Sequence, residues 1–352
     1  MVRIKMKSRK KRIKSIFKYF GISIGIIVGG ILVAGQITLY SIPEADLPPG
    51  MMYPVNGGEI HIYCTGSENN ENPTIIIVPG AGVPSILYSN LQDKLSETIR
   101  TCSYDTAGVG WSKANQIPYT AENLSEELSQ LLRVAQINGP VVLAGHSLGG
   151  IVNLIYSADH EKQVVGIAFI DSSHYNQFDY FGEEYREFLE KQMRDTADNL
   201  WLVEISSNLG IMAMMETLRP TTTEIEDRQL KMITSSNKEN PPFPTIKSMI
   251  SNLNLSFEQG KQAHYARGDL PIISISASDQ IPGAPIKIGG VTSEEIRAGF
   301  KDLHKDLAEL STSGKHVIVN GTTHASIINN DETADYILSL IPLIEERAEN
   351  EN

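Results

Sequence analysis

The sequence predicts an α/β fold with an open, mostly parallel sheet, and two observations carry that expectation. Short apolar runs (Ile75-Ile76-Ile77-Val78, Val141-Val142-Leu143-Ala144, Pro271-Ile272-Ile273) alternate with amphipathic stretches at 85–100 and 120–137. One of these runs passes without a break into Gly145-His146-Ser147-Leu148-Gly149-Gly150, and a helical run, 151–156, follows at once. A serine on so tight a strand-to-helix turn adopts a strained backbone that only glycine-sized neighbours tolerate. The turn lifts the hydroxyl above the sheet beside a helix N-terminus, whose free N–H groups favour developing negative charge.

A serine nucleophile needs an imidazole base and a carboxylate to orient it. In this fold class they follow in the order serine, acid, histidine. Asp279 lies just past the strand that starts at Pro271, and His324 follows the short strand Val317-Ile318-Val319-Asn320. Both fall at the C-terminal ends of strands, the edge where open α/β sheets place their ligands. The reading is therefore Ser147, Asp279 and His324, with Asp171, at the end of Val165-Gly166-Ile167-Ala168-Phe169-Ile170, as the alternative acid. His316 falls at the opposite edge and reads as a surface histidine. His146 should pack in the turn, and His174 borders the pocket. No cysteine or histidine cluster has metal-ligand spacing, so neither metal nor cofactor is expected.

Together with two further stretches, these motifs resemble the α/β-hydrolase superfamily over roughly residues 50–345. Ile75-Ile76-Ile77-Val78-Pro79-Gly80-Ala81-Gly82 resembles the strand and oxyanion-hole loop, with Pro-Gly where His-Gly is usual. The donors are backbone N–H groups, so the departure is tolerable; Ala81 and Leu148 are the expected pair, with Gly82 the rival to Ala81. Asp105-Thr106-Ala107-Gly108-Val109-Gly110-Trp111-Ser112 resembles the D-x-x-G-x-G-x-S turn of the epoxide-hydrolase, dehalogenase and esterase branch, a structural turn. Serine in place of that branch's aspartate nucleophile favours acyl chemistry. The resemblance implies an eight-stranded, mostly parallel sheet flanked by helices, with a helical cap after the sixth strand. It also makes neighbours of the strands holding Cys64 and Cys102, so a bridge between them is feasible; two buried free thiols are the rival reading.

The first 18 residues hold nine basic side chains and no acid, leaving 21 basic against 42 acidic residues in the remainder. So acidic a body is a poor partner for nucleic acid. Residues 19–40 are apolar and uncharged, long enough at ~1.5 Å per residue to cross a bilayer core. The expected organisation is a basic cytoplasmic tail (1–18), a transmembrane anchor (19–40) and a stalk (41–54). A hydrolase core (55–171 and 271–350) and a cap (172–270) follow outside the cell membrane. A cleaved signal peptide is the competing reading of the anchor.

Within the cap, 180–208 is rich in helix formers, 220–227 and 237–244 are rich in turn residues, and 209–215 is apolar. Its methionines line an acyl pocket or fill the cap's own core. Thr292-Ser293-Glu294-Glu295 reads as a capping box opening a helix to about Ser311, and 331–350 as a closing helix. The chemistry expected is a membrane-anchored serine hydrolase acting on a small acyl substrate, a carboxylesterase or lipase-like enzyme. Amidase, aminopeptidase, acyl-transfer and non-catalytic binding readings share the same fold.

Overall fold

The computed structural model describes residues 2–44, 47–67, 72–217, 227–279 and 286–351, with side chains at 17–44, 47–67, 72–215, 229–279 and 286–350. The side chains of the basic tail before Phe17 and most of the turn-rich stretch 220–227 lie outside the described residues. The chain divides into two compact units, one of residues 1–44 and 199–221, the other of 45–198 and 222–352.

The larger unit holds an eight-stranded sheet. Its strands are β1 (Met51–Val55), β2 (Gly58–Thr65), β3 (Thr74–Val78), β4 (Thr101–Tyr104), β5 (Val141–His146), β6 (Val164–Ile170), β7 (Ile272–Ala277) and, beyond a short hairpin of β8 (Lys287–Ile288) and β9 (Val291–Thr292), β10 (Gly314–Val319). They lie in the order β1-β2-β4-β3-β5-β6-β7-β10. β2 runs antiparallel to both β1 and β4, and the remaining neighbours in this sheet pair in parallel. The expected stalk therefore ends earlier than residue 54: Met51 to Pro54 pair with β2, and Pro54 is tolerated because β1 is an edge strand. Cys64 faces Cys102 in the β2–β4 register, and a disulfide joins them.

The central strands are buried and mostly apolar because both faces are covered. Ile76 and Val78 of β3 join one core cluster with Leu128, Leu131 and Leu154, while Ile75 and Ile77 join the other with Leu91, Leu95 and Ile337. Each such fully buried side chain is worth about 1.5–3 kcal/mol relative to leaving it in water.

The helices are, in chain order, α1 (Val2–Ser41), α2 (Ser89–Ser96), α3 (Ala121–Val134), α4 (Gly149–Asp159), α5 (Gln177–Tyr180), α6 (Glu183–Asn208), α7 (Ile211–Thr217), α8 (Asp227–Glu239), α9 (Phe243–Gln262), α10 (Ser293–Ala308), α11 (Asp331–Leu338) and α12 (Leu340–Glu351). The insertion between β6 and β7 is thus helical, from α5 to α9. Thr292 and Glu295 form the reciprocal capping box that opens α10. The single closing helix expected at 331–350 is two: Pro342 has no N–H to donate to Leu338, and the chain re-initiates at Leu340.

The smaller unit contains α1, whose stretch Phe17–Ser41 is 25 residues long and includes an 18-residue segment with a mean hydropathy of 2.1, 6% of it buried. Length and composition suit a bilayer span.

Candidate active site

The turn between β5 and α4 is built from backbone conflict. Ser147 has φ +53°, a left-handed conformation costly for a side chain with Cβ. Its neighbours must be glycine: a Cβ on Gly149 would lie 2.3 Å from the Val78 carbonyl oxygen, and one on Gly150 would lie 2.4 Å from Ser172. The strained serine is held by main-chain bonds, its N–H donating to Ile170 O (3.3 Å) and its carbonyl accepting from Ser173 N–H (2.8 Å).

His324 lies in the loop after β10, and its Nδ1 faces a carboxylate oxygen 2.6 Å away. That oxygen belongs to Asp171, not Asp279. Asp171 ends β6, the strand beside β5, and its φ of +42° turns the carboxylate back across the sheet edge. Its other oxygen accepts the Ala277 N–H at 2.8 Å. Burial alone would raise its pKa. The His324 hydrogen bond, the nearby His304 and His324 rings and the Ala277 N–H outweigh it and hold the group down at about 2. Asp279 does sit at the same edge, and its N–H donates to Thr322 O (2.9 Å), but its half-exposed side chain turns to Arg297 on α10 at 3.4 Å. The structure therefore corrects the expected geometry in favour of the alternative acid.

These features have counterparts in known proteins. A family model described as a Thioesterase domain matches residues 73–233. A thermophilic esterase from Thermogutta terrifontis is similar in structure, with a TM-score of 0.58 and 16% identity over 84% of this chain and 99% of that one. An AB hydrolase superfamily protein of Gibberella zeae is 31% identical over 107 residues, 29% of this chain and 33% of that protein. An uncharacterized Schizosaccharomyces pombe protein is 27% identical over 168 residues, 40% of this chain and 31% of that protein. The chain has the α/β-hydrolase fold. It spans less than half the length of the curated relatives it matches.

The loop after β3 faces the serine turn, since a Cβ on Gly80 would lie 3.1 Å from Ser147 Cβ. Gly80 N–H donates to Tyr88 OH (2.8 Å) and Gly82 N–H to Tyr119 OH (3.3 Å). Among the described hydrogen bonds, none is donated by the Ala81 or Leu148 N–H. That distinction separates Ala81 from Gly82, which sequence could not do.

Sequence reasoning undervalued His146. Its buried ring is bonded at both nitrogens: Tyr88 OH, occupied as an acceptor by Gly80, donates to Nδ1 (3.0 Å), and Nε2–H donates to the His324 carbonyl (3.0 Å). Burial first, then the neighbouring His324, lowers its pKa to about 3, so the ring stays neutral. His146 thus ties the residue before Ser147 to the backbone of His324, and the two imidazoles lie 4.7 Å apart. The histidine signal was present in the motif, but its partner lies 178 residues away.

His316 is not a surface histidine: its Nε2 lies 2.7 Å from Ser276 Oγ, which also contacts His304 Nδ1 at 2.7 Å. His304 Nε2 in turn donates to the Ser172 carbonyl (2.8 Å), behind Asp171. The fold also gathers His174, His264 and Asp306, whose ligand atoms lie within 4.8 Å of one another. His174 Nδ1 accepts the Asn176 N–H, so Nε2 keeps its proton and donates to Asp306 (2.8 Å); that tautomer does not suit a metal at Nε2. Trp111 packs on His61, ring centroids 4.9 Å apart, and lines a cavity of about 280 Å³ whose walls include neither Ser147 nor His324.

Proposed function

We propose that this α/β-hydrolase is a membrane-anchored serine hydrolase that cleaves a carboxylic ester, or a related acyl bond, of a small molecule through an acyl-enzyme on Ser147. The observation that carries the reading is the Asp171–His324 bond at the sheet edge that also holds the strained serine. With Nδ1–H donated to Asp171, His324 keeps Nε2 free of a proton, and its side chain is 45% exposed. Nε2 takes the proton from Ser147 Oγ as the oxygen attacks the carbonyl carbon. The Ala81 and Leu148 N–H groups receive the oxyanion, each worth about 10²–10³ in rate. The proton passes to the leaving group, and a water activated by the same Nε2 releases the acid.

The match to a Thioesterase domain favours a second substrate within this mechanism, an acyl thioester, whose thiolate leaves more readily than an alkoxide. The long apolar stretch of α1, preceded by the basic tail, supports a single-pass anchor in the cell membrane with the catalytic unit outside. The Cys64–Cys102 disulfide suits an oxidising compartment.

The test is fluorophosphonate labelling of the full chain in detergent, beside Ser147→Ala and His324→Ala. Labelling of the wild type, lost in both variants, is expected. A folded wild type that fails to label would refute the activated serine.

A further inference from the structure

We propose that the cap segment from Asn199 to Met215 seats in the lipid leaflet beside the anchor, with Leu202, Ile205, Met212 and Met215 among the acyl chains and Trp201 at their headgroup boundary. This rests on the reading of Phe17–Ser41 as a membrane span and extends it to a second, discontinuous piece of chain.

Residues 199–221 cluster with the anchor in one unit. Along the span, Gly35 alone is buried among the described residues, and what buries it is the junction between α6 and α7. A Cβ on Gly35 would lie 2.5 Å from Leu209 O, and one on Gly210 would lie 2.0 Å from Gly35 O, so the two backbones touch. Gly210, at φ +74°, also supplies the left-handed residue that ends α6 and starts α7. Gln36 Nε2 donates to Asn208 O at 2.9 Å, satisfying a helix-terminal carbonyl that water could not reach in lipid.

The depth follows from position along α1. Gly35 stands six residues before the end of the span at Ser41. At ~1.5 Å per residue that is about 9 Å. Interfacial helices bury their apolar face ~5–10 Å into the boundary between headgroups and acyl chains. A junction fixed to the anchor there carries its flanking helices into the same layer. Their composition fits: Glu204 is the one charged residue from 201 to 215. Trp201 is 55% exposed and Met215 59%. A patch of that kind on a monomer marks an interaction surface, and here it continues the anchor's own lipid-facing surface. Trp201 suits the headgroup level, where Glu204, three residues on, also finds polar partners.

The experiment uses Trp201 as its own depth gauge. Full-length Trp111→Phe, reconstituted in phosphatidylcholine vesicles, is compared with vesicles whose acyl chains carry bromine. Loss of Trp201 emission in the brominated bilayer, and its protection from aqueous iodide, are expected. Should Trp111→Phe fold poorly, the same signal reads as loss of bromine quenching on going from wild type to Trp201→Phe. A separate chain carrying Ile27→Trp with Trp111→Phe and Trp201→Phe reports the anchor. Quenching of Ile27→Trp without quenching of Trp201 overturns the seating while leaving the anchor intact. Quenching of neither overturns the anchor, and the seating with it.

Discussion

His324 Nδ1 and Asp171 Oδ2 lie 2.6 Å apart, joining the loop after β10 to the end of β6 across 153 residues of sequence. The bond fixes the imidazole tautomer, and the fold protects it twice. Ala277 N–H holds the other carboxylate oxygen, and His146 holds the His324 carbonyl. Disturbing any of these contacts should be felt at Ser147.

His146→Phe leaves Tyr88 OH without its acceptor and the His324 carbonyl without its donor. A loss of about 1–3 kcal/mol in stability is expected. Because the loop carrying His324 loosens, kcat should fall more than KM rises. Denaturant unfolding and steady-state kinetics on one ester check both, and unchanged values would remove His146 from the account.

Gly149→Ala places a methyl 2.3 Å from the Val78 carbonyl oxygen, on backbone that cannot move cheaply. A loss of about 1–3 kcal/mol or more is expected, with esterase activity falling beyond what the unfolded fraction explains. Thermal unfolding together with active-site titration separates the two effects.

Glu127 is buried beneath the D-x-x-G-x-G turn, accepting the Ala107 N–H at 3.2 Å. Burial raises its pKa from 4.5 to about 7, only partly opposed by that bond. The folded chain therefore keeps a proton that the unfolded chain releases between about 4.5 and 7, so this group's contribution falls as pH rises through that window. Glu127→Gln, which cannot ionise, should be more stable than wild type at pH 8, by on the order of 2–3 kcal/mol, and close to it below pH 4.5. Stability curves at several pH values read the crossover.

Cys64 and Cys102 are 38 residues apart in sequence. Closing a loop of that size constrains the unfolded chain, and the Cys64→Ser, Cys102→Ser double variant should lose about 2–4 kcal/mol. Activity at low temperature should persist, because the bond lies in strands remote in sequence from Ser147 and His324. Chemical denaturation with and without reductant checks the wild type.

Ser147 and His324 were legible because their signals are local. A buried strand running into glycines constrains the backbone so tightly that few other structures explain the pattern, and His324 follows a short strand at the same sheet edge. The acid was not legible by the same means. Asp171 and Asp279 each follow an apolar strand and lie at the same sheet edge. What separates them is the left-handed φ at Asp171 and the presence of Arg297 on α10, both products of tertiary structure. His146 was hidden similarly, since its partner is a carbonyl and carries no sequence signal. The break at Pro342, by contrast, was written in the sequence. The clustering of residues 199–221 with the anchor depended on packing that no periodicity records.

In the proposed mechanism Asp171, and not Asp279, orients His324. Comparing kcat/KM of Asp171→Asn and Asp279→Asn on one activated ester tests it most directly. Loss of about 10³–10⁴ is expected for Asp171→Asn, because the amide permits the wrong imidazole tautomer. Asp279→Asn should stay within a few-fold of wild type, since it relieves only a part-exposed contact with Arg297. The reverse ranking would assign the orienting role to Asp279 instead.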